Sequence, residues 1–266
     1  MKIDLKYFTG TGNSWKILST CAKVFENNHH AVSISPITNN GQLSSDADII
    51  GLCFPVYAFG IPRVCRRYLR QIPKFPASRN VFIIITAGKH DEAGFSVNEC
   101  VKILRKKNCQ IIYTAVVEMP ANWITYMNPP SQEEARSIIE KGTTSAITIS
   151  EDILKNTHKY HHFNIPHNYS RFGLYQKYYL FKFIGIQNMW RTFDVYESCN
   201  GCGLFEKICP TGSIKIRQCK PAWSSSCEQC MRCVNYCPEK AVYQSMGGGT
   251  IGRNRYHVSD FKPHEK

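Results

Sequence analysis

Lys2-Ile3-Asp4-Leu5-Lys6-Tyr7-Phe8-Thr9-Gly10-Thr11-Gly12-Asn13-Ser14 is the stretch that decides the fold. Residues 3–8 read as a core strand. A turn with two glycines follows, then a helical pattern over about 13–26. The glycines let the backbone approach an anion closely. The free amides and positive dipole end of the helix favour a phosphate there. Thr9, Thr11 and Ser14 add hydroxyl donors, and Asn13 is placed to cap the helix. A P-loop needs a lysine before the hydroxyl residue, and this loop has none. The dinucleotide fingerprint needs a third glycine, where Trp15 stands. It also needs an acid after the second strand, where Ser33-Ile34-Ser35 stands. What remains is a mononucleotide phosphate loop that uses neutral donors only.

Outward from this unit the alternation continues. Residues 31–34, 48–54, 81–86 and 111–118 read as strands, and 63–72 and 95–107 as helices. Near-continuous apolar strands separated by helices indicate a parallel five-stranded sheet covered on both faces. Right-handed connections make it a three-layer, doubly wound α/β domain. Ser131 and Glu134 predict a capping box that opens a long helix ending near 157. This first domain is expected to span residues 1–157.

The composition then changes. From 153 to 193 there is no acidic residue, while Lys155, Lys159, Arg171, Lys177, Lys182 and Arg191 are basic and aromatics crowd the span. Phe172, Tyr175, Tyr179, Phe183, Ile186 and Trp190 recur at helical spacing. This predicts that 158–194 is a basic, aromatic linker helix packed between domains. Docking of an acidic partner and attachment to a membrane surface are the alternatives. No nucleic-acid motif accompanies the stretch, and no apolar run is long enough to cross a bilayer. No leader is legible at the start, so a cytoplasmic setting is expected.

The remaining residues, 195–266, carry eight of the chain's 13 cysteines, and seven of them fall in one repeated pattern. The second half of the pattern reads Cys227-x-x-Cys230-x-x-Cys233-x-x-x-Cys237-Pro238. The first half reads Cys199-x-x-Cys202-x-x-Phe205-x-x-x-Cys209-Pro210, with Phe205 at the third thiol position. Clustered cysteines in a cytosolic setting argue for metal rather than disulfides. The spacing is that of cubane iron–sulfur ligands, and a zinc reading fits it less well. The Gly247-Gly248-Gly249 tail is expected to be flexible.

Two resemblances follow from these residues. The Thr9–Ser14 loop resembles the FMN phosphate loop of flavodoxins. That implies FMN, with its ring beyond the ends of the third and fourth strands, at Pro55, Val56, Tyr57, Phe59, Gly60, Thr86, Ala87 and Gly88. Tyr57 or Phe59 would stack on the ring or merely close the core. Residues 195–245 resemble bacterial two-cluster ferredoxins, a small α+β fold. The cross-ligation rule of that family assigns Cys227, Cys230, Cys233 and Cys209 to one complete [4Fe-4S] cluster. It assigns Cys199, Cys202 and Cys237 to the other. Four readings stand for this second cluster: a [3Fe-4S] cluster, an atypical [4Fe-4S] cluster with an outside ligand such as Cys219, one with an open corner, or no cluster. The whole chain resembles flavodoxin-domain/ferredoxin fusion proteins.

Bound cofactors lower the formal charge of +13. A four-iron cluster contributes about −2 and a flavin phosphate about two more negative charges, so the corrected value is nearer half. A moderately basic protein attracts acidic redox partners without any nucleic acid. The expected function is electron transfer between one-electron carriers, the clusters and FMN in anaerobic metabolism. The rivals are a flavin-dependent reductase of a small organic substrate, with His90, Asp91 and Glu92 as proton donors or a solvated loop, and a redox or oxygen sensor.

Overall fold

The computed structural model describes residues 1–37, 43, 46–160, 170–246 and 249–263. Its main sheet holds β1 (Lys2–Tyr7), β2 (Ala31–Pro36), β3 (Ile49–Pro55), β4 (Arg79–Ala87) and β5 (Cys109–Glu118). All four pairings are parallel, in the order β2-β1-β3-β4-β5. This is the flavodoxin-like doubly wound order. β3 and β4 are buried along nearly their whole length because helices cover both faces. Helices α2 (Arg63–Gln71) and α3 (Ser96–Arg105) pack on one face through Val64, Leu69, Val97 and Leu104. Helices α1 (Asn13–Asn27) and α4 (Gln132–Leu154) pack on the other through Ile17, Leu18, Phe25 and Ile149. The Ser131–Glu134 capping box is formed at the start of α4.

Beyond α4, helix α5 (Arg171–Leu180) runs into a π-helical turn, Phe181–Gly185. The aromatic stripe expected to be its packing face points outward instead. Phe172, Tyr175, Tyr179 and Phe183 are exposed, and of the six residues nominated only Ile186 is buried. The inward residues are Leu174, Tyr178, Ile186 and Met189. The wide turn shifts the register after Leu180, which a constant 3.6-residue period does not anticipate. Residues 161–169 of this linker, and Gly247 and Gly248 of the glycine tail, lie outside the described residues.

The cysteine-rich segment contains β6 (Phe193–Val195), α6 (Leu204–Ile208), β7 (Ile214–Arg217), β8 (Lys220–Trp223), α7 (Arg232–Asn235) and β9 (Val242–Gln244). β6 pairs with β9 and β7 with β8, both antiparallel. Residues 250–263 then return to the first helix. Val258 N donates to Thr11 O at 2.8 Å, Asp260 pairs with Lys16 at 2.6 Å, and Phe261 packs on Trp15. Among the described residues no helix is long and apolar enough to cross a membrane.

Candidate functional site

A cleft opens at the carboxyl ends of the strands, where ligands of open α/β sheets sit. It encloses about 670 Å³ of atom-free space, its mouth included. Of the sequence-nominated residues, Thr9, Gly10, Asn13, Pro55, Val56, Tyr57, Thr86, Ala87 and Gly88 line it. Thr11, Gly12, Ser14, Phe59 and Gly60 do not, and the hydrogen bonds give the reason. Ser14 Oγ is 2.8 Å from Thr86 Oγ1, tying the loop to β4. Thr11 Oγ1 accepts from Asn122 Nδ2 at 2.8 Å, and Thr9 Oγ1 accepts from Gly12 N at 3.0 Å. These hydroxyls shape the loop. Asn13 is not the cap expected of it: Gly12, at φ +106°, takes that position. Asn13 instead bridges Pro120 O and Tyr256 Oη. Phe59 and Ala58 form a tight turn at φ 63° and 48°, closed by reciprocal Tyr57–Gly60 backbone bonds. Left-handed non-glycine residues cost about 1–3 kcal/mol each and persist where the surroundings over-determine them. Here Phe95 N donates to Phe59 O at 2.6 Å.

The cleft wall also includes Asn122, Trp123, Phe181, Ile186 and Gln229, which sequence reading missed. Asn122 and Trp123 directly follow β5, and the rule that ligands gather at strand ends was a usable signal for them. Ile186 was read only as part of the linker's packing face, and nothing in the pattern marks Phe181 or Gln229. Tyr57 Oη and Trp123 Nε1 are buried with no hydrogen-bond partner among the described residues. Each such donor costs about 1–3 kcal/mol unless something accepts from it. Burial pushes the Tyr57 phenol well above its usual range, so it stays a donor at neutral pH. No Asp, Glu, His, Lys or Arg lines the cleft among the described residues, and His90 and Asp91 lie outside it. An unpaired donor set beside a helix amino terminus, with no carboxylate to repel an anion, fits a flavin phosphate and ring.

The seven motif cysteines line two smaller cavities of about 290 Å³ and 320 Å³. The first holds Cys199, Cys202, Cys237 and Phe205; the second holds Cys209, Cys227, Cys230 and Cys233. The two loops that wrap them share one backbone form, 28 positions apart. Gly201 and Gly203 sit at φ 66° and 76°, and their counterparts Gln229 and Met231 both sit at φ 56°. Each loop then enters a short helix, α6 or α7. Each returning cysteine accepts the amide four residues on: Ser213 N to Cys209 Sγ at 3.3 Å, and Ala241 N to Cys237 Sγ at 3.2 Å. Among the described residues no three potential ligands converge as on a single ion. Thiols spread around two cavities would suit a multi-iron cluster better than a single ion, and amides donating to sulfur tune such clusters. Burial pushes the thiols of Cys227 and Cys230 up to about 12 and about 11, so metal binding there must displace protons. Cys219 is exposed and is not on either wall.

The second cavity abuts the cleft. A Cβ on Gly10 would lie 2.1 Å from Cys230 O, so only glycine permits this approach. The buried Arg232 fixes it: Nε donates to Gly10 O at 2.8 Å, Nη2 to Thr9 O at 2.7 Å, and Nη1 to Ile208 O at 2.7 Å. No carboxylate forms an ion pair with Arg232 among the described ion pairs. A buried cation needs a counter-charge, and cluster thiolates on one side and a phosphate on the other would supply it.

No protein-family model and no curated protein matches the chain. Solved structures do. A short-chain flavodoxin associated with a PDU bacterial microcompartment is 15% identical over 59% of this chain and 99% of its own, with a TM-score of 0.42. A mutant Fusobacterium nucleatum flavodoxin bound to flavin mononucleotide is 14% identical over 57% and 96%, with a TM-score of 0.40. A putative quinone reductase from Klebsiella pneumoniae is 11% identical over 65% and 93%, with a TM-score of 0.41.

Proposed function

We propose that this chain is an electron-transfer flavoprotein that couples one-electron carriers to FMN through two iron–sulfur clusters. Residues 1–157 would form the flavin domain, 158–194 the linker and 195–266 the cluster domain. FMN supplies an acceptor of one or two electrons, and the clusters supply one-electron steps. Gly10 and the first turn of α1 would hold the phosphate, with Tyr57 and Trp123 offering donors to the ring. Cys209, Cys227, Cys230 and Cys233 would hold a complete [4Fe-4S] cluster. Cys199, Cys202 and Cys237 would hold a [3Fe-4S] or atypical [4Fe-4S] cluster.

One observation carries the reading: the loop with the full thiol set touches the phosphate loop at Gly10 and contributes Gln229 to the cleft wall. The complete cluster is then the one next to the flavin. The other lies toward the surface, where Cys202 is the only exposed cysteine of the seven. Electrons from a redox protein partner would enter there and cross the complete cluster to FMN. A relay is favoured over a reductase because Tyr57 is the one ionisable side chain on the cleft wall among the described residues, and Phe181 and Ile186 also line it. The setting is expected to be cytoplasmic and anaerobic.

The test is cofactor content followed by rapid kinetics. Anaerobically purified protein should bind FMN and iron, and a one-electron donor should reduce the flavin. Cys230→Ser should keep FMN while slowing that reduction by orders of magnitude. Protein that takes up neither FMN nor iron sinks the proposal, and so does a Cys230→Ser variant whose flavin is reduced at the normal rate.

A further inference from the structure

We infer that the first thiol cavity holds a three-iron cluster, because the Phe205 ring fills the corner where a fourth iron would need a ligand. This rests on the reading of the seven cysteines as cluster ligands. The internal repeat places the corner. Phe205 corresponds to Cys233, which presents its thiol to the second cavity from the same helical turn after the same left-handed pair. The first loop is held in that form without a third thiol. Gly201 fits against the Cys219 carbonyl, where a Cβ would come within 2.5 Å, so the β7–β8 turn braces the loop.

What occupies the corner is apolar and sealed. Phe205 is 4% exposed and belongs to the core built from Ile208, Ile214, Trp223 and Val242. An iron there would face a buried aromatic ring, with no thiolate to complete its shell. A metal ion left without ligands in apolar surroundings is strongly disfavoured. An open, substrate-binding iron needs the corner to reach solvent, which the buried ring prevents. Two outside ligands are the alternatives. Cys219 is exposed and off the cavity wall. Glu239 is on the wall beside Cys237, and its carboxylate accepts from Asn200 Nδ2 at 3.5 Å. Three corners therefore have thiolates and the fourth has none. Phe205 fixes the nuclearity of the outer cluster through shape.

The test uses full-length protein purified and then oxidised without oxygen, with EPR and iron analysis as readouts. The expected result is the signal of an oxidised three-iron cluster at one per chain. Phe205→Cys should abolish that signal and add about one iron per chain. Retention of FMN and of the inner cluster's reduced-state signal would establish that this variant is folded. An EPR-silent oxidised wild type with iron for two four-iron clusters overturns the inference. Loss of iron in Cys219→Ser or Glu239→Gln would do the same and would name the outside ligand. Protein with no iron at all defeats the parent reading as well, and so is distinguishable from failure of this one.

Discussion

Replacing Arg232 with methionine should separate the two halves of the molecule. The side chain is 6% exposed and donates to three buried carbonyls, those of Thr9, Gly10 and Ile208. Hydrogen bonds from a charged donor contribute about 1.5–3 kcal/mol each. The guanidinium also carries a burial cost that its removal would relieve. Three buried carbonyls left without a donor, at about 1–3 kcal/mol each less the relieved burial cost, put the net loss at about 4 kcal/mol. Unfolding entropy of roughly 2.1 cal/mol/K per residue gives about 560 cal/mol/K for 266 residues. The first unfolding transition should therefore fall by about 7 °C in calorimetry with FMN saturating. Arg232→Lys separates charge from geometry: a single ammonium cannot span three carbonyls as the planar fork does, so only part of the loss should return. Lys215→Met, which breaks an exposed pair with Glu206, is the control and should leave the transition in place. An Arg232→Met protein that melts within a degree or two of the wild type would refute the view that this residue bolts the Cys227–Cys233 loop to the Thr9–Ser14 loop.

Gly10→Ala would drive a methyl group into Cys230 O, and overpacking of this kind costs about 1–3 kcal/mol. FMN affinity should drop roughly ten- to hundredfold by fluorescence titration, and unchanged affinity would mean the contact is not tight. Trp123→Phe removes a buried, partnerless indole N–H. If the flavin accepts from it, FMN affinity falls about tenfold, near 1.4 kcal/mol; a variant that binds FMN as well or better excludes that contact. Burial pushes the Glu99 carboxyl up, but the Arg66 hydrogen bond and the Arg66 and Lys182 charges outweigh it and hold the carboxyl below its usual range. A depressed carboxylate contributes stability above its unfolded pKa, about 4.3, and loses it as pH falls through the folded value. The gap in Tm between wild type and Glu99→Gln should therefore be constant from pH 8 to 6, and a gap that narrows in that window would contradict the ion-pair account.

The sheet was legible because buried parallel strands are almost wholly apolar. Each of the five strands lies within three residues of its reading, and the residues at the ends of β3 and β4 meet in one cleft with Gly10 and Asn13. The thiols fall into two sets for a different reason: cysteine spacing encodes a loop of fixed reach, and each set lines its own cavity. The linker was less legible. Its aromatics obey a helical period on the outer face, while the inner face is held by Tyr178, whose hydroxyl donates to Glu99 at 3.1 Å, and by Phe181 edge-on to Trp123. Those partners lie far away in sequence, and a π turn breaks the period between them. The junction was not legible at all. Gln229 and Arg232 sit in the x positions of a cysteine motif, where spacing leaves residue type unconstrained.

Those x positions explain an asymmetry between the two loops. The left-handed positions of the outer loop are glycines, which adopt that form at no steric cost. The inner loop has Gln229 and Met231 there, at about 1–3 kcal/mol of strain each. Glycine would relieve the strain but remove side chains the junction uses. Gln229 lines the cleft and accepts from Gln244 Nε2 at 2.9 Å, and Gln244 in turn accepts from Thr125. Met231, 1% exposed, fills the core between the β5–α4 connection and the cluster loop, with its sulfur 3.8 Å from Thr125 Oγ1. The inner loop therefore carries strain in exchange for contacts that register it against the flavin domain. The outer loop has no such neighbour, carries no such strain, and has the buried Phe205 in place of a third thiol. Conformational strain thus falls on the loop packed against the cleft.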